Sequence, residues 1–207
     1  IPTTYYIKDG KARIDMVIAG GERSTILDPS AHQMISLNPE TREAIVYDLA
    51  KLAQEMQRSM QMGDVKVSLT PTGYTTQLLG RTCTEFVLSV TMVMSTGGRG
   101  GGGAPMTVTI GGPVLIAKDA PGTKDFAAFY RAAVDSGFFS FGGRGGGASG
   151  MNVRGMAAMY SAIADAGGIP YEQHITVAIE GGPMADMMRG QAQAPPSITR
   201  VTSVSTD

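Results

Sequence analysis

The sequence contains no tryptophan and only one cysteine, and both shortages limit what the chain can be. Cys83 cannot form a disulfide within the chain, and the paired Cys-x-x-Cys motif of zinc sites is excluded. Aromatic residues make up only 6% of the chain, so its 14 methionines have to supply part of the core volume. We therefore expect a soft, adaptable interior in which Cys83 is one more small buried side chain.

An excess of charge of either sign is also missing, as are long hydrophobic runs. Lys and Arg number 17 against 18 Asp and Glu, a balance that excludes a basic nucleic-acid binder. No apolar stretch approaches the roughly 18–20 residues that a membrane-spanning helix needs. With 43% hydrophobic residues the chain can fold, and its 207 residues predict a single domain over 1–207.

Catalytic motifs are absent as well. The sequence contains neither His-Glu-x-x-His nor Gly-x-Ser-x-Gly, and its two histidines, His32 and His174, stand apart. Residues 98–103 match the Gly-x-Gly-x-x-Gly pattern, but a strand rather than a helix is expected after them, which excludes a dinucleotide-binding turn. We predict a protein that is not an enzyme, with no catalytic residue, no cofactor and no metal.

Short strands at intervals of about ten residues dominate the first part of the chain. Asp9-Gly10, between two extended runs, is a strong signal for a two-residue hairpin. Apolar and polar side chains largely alternate over residues 82–95, which predicts one long strand. Thr70-Pro71-Thr72-Gly73 predicts a turn, and two separate strands are expected at 106–110 and 114–118. Because helices enter only between and after these strands, the order predicts an antiparallel α+β fold.

Three segments repeat apolar residues at helical spacing, near 49–62, 126–134 and 156–163. Asp48 is placed to cap the first helix, and Thr123 is placed to cap the second. We expect the three amphipathic helices to pack on one concave face of the sheet. If an apolar ligand binds there, its predicted contacts are Phe126, Phe129, Tyr130, Met156, Met159 and Tyr160.

Glycine is the residue in excess, and the excess lies in two loops. Of the 28 glycines, six fall within residues 97–103 and six within 142–150. Such loops are either flexible linkers or surfaces where the missing Cβ atoms let another backbone approach closely. Ordering glycine is costly in entropy, so the second reading requires a partner that holds the loops. The predicted partner contacts are Arg99, Arg144, Gly98, Gly100, Gly143 and Gly145.

Several segments resemble a domain-of-unknown-function family of bacterial envelope proteins. The resemblance is carried by residues 6–15, by Ile26-Leu27-Asp28 with Met34, and by residues 80–86, 167–173 and 202–206. That family is similar in fold to the LolA/LolB lipoprotein carriers, whose antiparallel sheet curls into a half-barrel around helices. The resemblance implies a LolA-like half-barrel and a secretory leader removed before Ile1, but it brings no catalytic residues.

Two functions fit these expectations. The first is a structural or accessory subunit at the periplasmic or extracellular face of the cell envelope. It would bind a partner protein, for example a membrane complex of photosynthetic, respiratory or transport type, and no nucleic acid. The second, which the resemblance implies, is a carrier that holds a lipid or another apolar molecule between sheet and helices.

Overall fold

The computed structural model describes residues 1–18, 21–51, 54, 65–95, 105–136, 149–181 and 195–205. Within these ranges the chain forms two five-stranded antiparallel sheets, which confirms the predicted antiparallel α+β class. The chain divides into two compact units, one of residues 1–60 and 122–164 and the other of residues 61–121 and 165–207. Each unit contains one sheet, and the single domain over 1–207 stays a prediction.

The first sheet is a simple meander of short strands. Its strands follow sequence order: β1 (Thr3–Lys8), β2 (Lys11–Ile18), β3 (Gly21–Asp28), β4 (Gln33–Asn38) and β5 (Glu43–Asp48). Lys8 pairs with Lys11 across the turn, where Asp9 and Gly10 have φ of 51° and 73°. The positive angles are those of a type I′ turn, so the predicted hairpin is confirmed.

The core of the first unit lies along one row of this sheet, which we call the inner row. Its five residues stand directly opposite one another on neighbouring strands: Ile7, Ala12, Leu27, Met34 and Tyr47. Ala12, Leu27 and Met34 are buried. A 3-10 turn at Pro29–Ala31 joins β3 to β4. Helix α1 (Thr123–Asp135) lies against β1 and this turn.

The ends of the helices differ in part from the expectations. Asp48 caps the first predicted helix as expected, because its Oδ1 accepts the backbone N–H of Lys51 at 3.0 Å. Most of that helix, residues 52–53 and 55–62, lies outside the described residues. Thr123 was the wrong cap for α1: the capping position is Gly122, whose φ of 78° suits glycine. Helix α2 (Ser149–Ala166) begins within the segment predicted to be the second glycine loop.

The second sheet has longer strands in the order β10-β9-β8-β7-β6. Its strands are β6 (Val65–Leu78), β7 (Arg81–Ser95), β8 (Pro105–Ala117), β9 (Ile169–Glu180) and β10 (Ser197–Arg200). The long strand predicted at 82–95 is confirmed. Two other expectations were wrong, because Thr70–Gly73 lies within β6 and the two segments at 106–118 form the single strand β8.

One face of the second sheet is apolar along the centre of the sheet. The side chains on neighbouring strands β7 and β8 are almost completely buried: Phe86, Leu88, Val90, Met92, Val108, Ile110 and Val114. On the opposite face, near the end of the sheet, Cys83 is fully buried among Ala117, Ala120 and Tyr171. Burial raises the pKa of the Cys83 thiol. Cys83 is thus the small buried side chain that the sequence predicted.

Candidate functional site

The partner contacts predicted from sequence cannot be placed in the fold. Arg99 with Gly98 and Gly100, and Arg144 with Gly143 and Gly145, lie outside the described residues. The contacts predicted for an apolar ligand fall mostly within them. Phe126, Phe129 and Tyr130 belong to α1, whereas Met159 and Tyr160 belong to α2. Met156 is also part of α2, but its side chain is outside the description.

The structure brings four of these predicted residues together as an aromatic cluster. The ring centroid of Tyr130 lies 4.4 Å from that of Phe126, 5.1 Å from that of Phe129 and 4.5 Å from that of Tyr160. The rings of Tyr130 and Tyr160 are stacked at an interplanar angle of 17°. Met159 is buried, as is Ile163 one turn further along α2. The cluster therefore joins the facing sides of the two helices within the first unit.

The tyrosines of this cluster are held in their neutral form. Burial raises the pKa of Tyr130 well above its ordinary value, and the neighbouring phenols of Tyr160 and Tyr5 raise it further. The pKa of Tyr160 is raised to about 12 by burial and by Tyr5. Tyr5 lies on strand β1 and is about half exposed, and its partial burial raises its pKa too. The cluster thus presents aromatic faces, partly open at Tyr5 and Tyr160, and no charge at neutral pH.

A second surface feature was not expected from the sequence. On the face opposite the inner row, five residues again stand directly opposite one another across all five strands: Tyr6, Arg13, Ile26, Ile35 and Val46. We call this set the outer row. Tyr6 is 57% exposed and Val46 is 59% exposed, while Ile26 and Ile35 are half-buried. A row of apolar side chains, interrupted by Arg13 and exposed at both ends, therefore crosses the face away from the core.

Charged groups lie at one end of the outer row. The Arg13 guanidinium lies 5.9 Å from the centre of the Tyr6 ring, and its Nε donates to Asp15 at 2.8 Å. The ion pair raises the pKa of Arg13 and lowers that of Asp15. A signal for this row was present in the sequence, because Ile26-Leu27 and Ile45-Val46-Tyr47 place apolar side chains on both faces of their strands. It could not be read as a row without the register of the strands.

The second unit holds the one described histidine that contacts a carboxylate. Glu172 is buried. Its carboxylate accepts a hydrogen bond from Arg200 Nε and pairs with His174 Nε2, each at 2.6 Å. These contacts lower the pKa of Glu172, the one from Arg200 most strongly. Because Arg200 lies on β10 and Glu172 on β9, the ion pair fastens the edge strand to its neighbour. We therefore assign a structural role to Glu172, Arg200 and His174.

No group of three or more His, Cys, Asp or Glu side chains among the described residues is arranged to hold a metal ion. In the same part of the chain, no helix combines the length and hydropathy needed to cross a membrane. The chain matches no family model, no curated protein and no solved structure.

Proposed function

We propose that this protein is a non-enzymatic accessory subunit of the cell envelope that binds a partner protein. The observation that supports the proposal best is the outer row. The inner row of the first sheet is largely buried, while the same sheet carries Tyr6 and Val46 largely exposed on its other face. Exposed aromatic and β-branched side chains beside an arginine have the composition of a protein-binding patch.

The partner would be the extracytoplasmic face of a membrane complex, of photosynthetic, respiratory or transport type. This part of the proposal depends on the resemblance to bacterial envelope proteins, as do the LolA-like half-barrel and a periplasmic or extracellular location. The two glycine loops with Arg99 and Arg144 would add contacts, since each guanidinium can donate up to five hydrogen bonds. Replacing each loop with a short Gly-Ser turn should then weaken assembly.

Capture from solubilised native envelope membranes tests the proposal. Three baits are compared: the unchanged chain, Tyr6→Glu in the outer row, and Val87→Glu on an exposed position of the second sheet. We expect the unchanged chain and Val87→Glu to retain the same membrane protein in a constant ratio. Tyr6→Glu should retain about tenfold less, because a charge would have to be buried in the interface. A result in which no bait retains a protein above an unrelated control contradicts the accessory function.

The carrier is the alternative, and the aromatic cluster favours it. Tyr130 and Tyr160 form a stacked pair next to the exposed Tyr5, so a flat apolar molecule could extend the stack. The same ring contacts are also expected if the cluster is simply part of a filled hydrophobic core. Organic extraction of the purified protein followed by mass spectrometry separates the two: a carrier yields a lipid or another apolar molecule in about stoichiometric amount, and a filled core yields none.

A further inference from the structure

Four strands form the edges of the two sheets in the part of the chain that the structure describes, and three of these edges are protected. β6 contains Lys66 and Pro71, and its register with β7 shifts between Pro71 and Thr75. β10 is only four residues long and follows Pro196. β1 ends at Lys8. Lysine, proline, bulges and short length are among the devices that keep an edge from pairing with another chain.

The fourth edge, β5, carries none of these devices. It pairs with β4 without a register shift over all six residues, and within the strand there is neither proline nor lysine. Ile45 is 54% exposed on one face and Val46 is 59% exposed on the other. A strand added to this edge would gain backbone hydrogen bonds and would also cover apolar surface on both faces.

The charges of β5 indicate what kind of strand would fit. Glu43 and Asp48 stand at its two ends, and both are exposed. In the neighbouring turn, Glu40 and Arg42 balance each other, and Lys51 follows in the next helical turn, so the segment remains acidic. Two copies of β5 paired antiparallel would bring carboxylates together at both ends of the ladder. A strand with basic ends would meet complementary charge there.

We infer that β5 is a docking edge for an extended segment of another protein, one with β-branched or aromatic side chains between Lys or Arg residues. The segment would add to the first sheet as a sixth strand, antiparallel to β5. This inference rests on the proposed accessory function and names the chemistry of the partner. Backbone pairing would supply affinity, while Ile45, Val46 and the two carboxylates would supply selectivity.

A fluorescein-labelled hexapeptide, Lys-Val-Thr-Val-Thr-Lys, whose two lysines stand opposite Asp48 and Glu43 when it pairs antiparallel with all six residues of β5, tests the edge by fluorescence anisotropy with the full chain at low ionic strength. We expect saturable binding. A peptide with glutamate at both ends should bind about tenfold more weakly because of charge repulsion, and one with proline at its centre should not bind. On the protein side, Ile45→Lys should weaken binding of the Lys-ended peptide at least about tenfold. Val17→Lys should leave it unchanged, since Val17 is equally exposed (55%) but lies on β2, which is paired on both sides.

Several outcomes would overturn the inference. One is the absence of binding by the Lys-ended peptide, and another is equal binding by the unchanged chain and Ile45→Lys. Concentration-dependent dimerisation in light scattering that disappears in Ile45→Lys would assign the edge to a second copy instead. If Ile45→Lys still captures the membrane partner in full from envelope extracts, the edge inference is wrong and the accessory function stands. Failure of every bait to capture a partner is instead evidence against the accessory function itself.

Discussion

The two sheets treat their apolar side chains in different ways. In the second sheet, strands of up to 15 residues align Leu88, Val90 and Ile110 on one face, where each is almost fully buried. In the first sheet, strands of six to eight residues bury part of the inner row, while the outer row keeps Tyr6 and Val46 exposed. Exposed apolar groups add little to stability, so those of the first sheet are available for binding.

The edges of the two sheets repeat this contrast. Edge strand β6 of the second sheet has Lys66, Pro71 and a bulge, which hinder pairing with another chain. Edge strand β5 of the first sheet has an unbroken ladder and an apolar centre. Both sheets expose some apolar side chains, such as Val46 in the first and Val93 in the second, but only the first sheet combines them with an unprotected edge strand among the described residues.

The largest effect is expected from a charge placed in the second sheet. Val90→Asp should destabilise the protein by about 4 kcal/mol, because an unpaired carboxylate would be buried where the side chain has no solvent exposure. Val93→Asp is the matched control on the same strand, 45% exposed on the opposite face, with an expected cost below about 1 kcal/mol. Urea unfolding followed by far-UV circular dichroism measures both. Equal losses would contradict the description of one buried and one open face.

A smaller loss is expected where two strands of the second sheet approach closely. A Cβ on Gly111 would lie too near the carbonyl oxygen of Leu88, and backbone cannot move aside as a flexible side chain does. Gly111→Ala should therefore cost about 2 kcal/mol. Gly10→Ala in the hairpin of the first sheet meets open space and should cost about 1 kcal/mol, from its positive φ alone. Urea unfolding of the two variants compares them, and the reverse order would refute the tight β7–β8 contact.

Much of the fold could be predicted because local signals agreed with the final structure. Asp9-Gly10 fixes its hairpin, and Asp48 caps its helix as expected. The turn predicted at Thr70–Gly73 failed because Pro71 is tolerated in an edge strand, where the chain continues through a bulge. Local sequence does not show which strand lies at an edge. The division into two sheets was hidden for the same reason, since it depends on pairing between distant segments.

The candidate site was less predictable than the fold. Helical spacing correctly grouped Phe126, Phe129 and Tyr130, because residues three and four apart share one helix face. Their contact with Tyr160 links two helices and needed the tertiary structure. The outer row was missed altogether. Its members come from five strands, and only the register aligns them.

Lowering the pH should remove the contribution to stability of Glu172, the buried carboxylate of the second sheet. The pKa of Glu172 is lowered in the folded state, so its contribution to stability is complete above the ordinary glutamate pKa and is lost as the pH falls through the lower folded value. Glu172→Gln should cost about 1 kcal/mol at pH 7. Thermal unfolding from pH 7 to pH 3 should show the two proteins converging at acid pH. A constant difference would mean that the carboxylate charge is not what fastens β10.

The smallest effect is expected at Asp28, the corresponding carboxylate of the first sheet. It pairs with Lys11 at 2.7 Å, accepts from Ser30 at 2.6 Å and caps the 3-10 turn through the backbone N–H of Ala31. The pKa of Asp28 is lowered to about 2, mainly by Lys11, so its contribution is complete above about pH 4 and disappears only as the pH falls towards 2. Asp28→Asn keeps an oxygen that can cap the turn and loses only the surface ion pair, which solvent screens. We therefore expect a loss of about 0.5 kcal/mol at pH 7 that shrinks in 1 M NaCl. Urea unfolding at low salt and in 1 M NaCl measures this loss in the free energy of unfolding. A loss as large as that of Glu172→Gln would show that the first sheet depends on its surface ion pair as much as the second sheet depends on the Glu172–Arg200 ion pair.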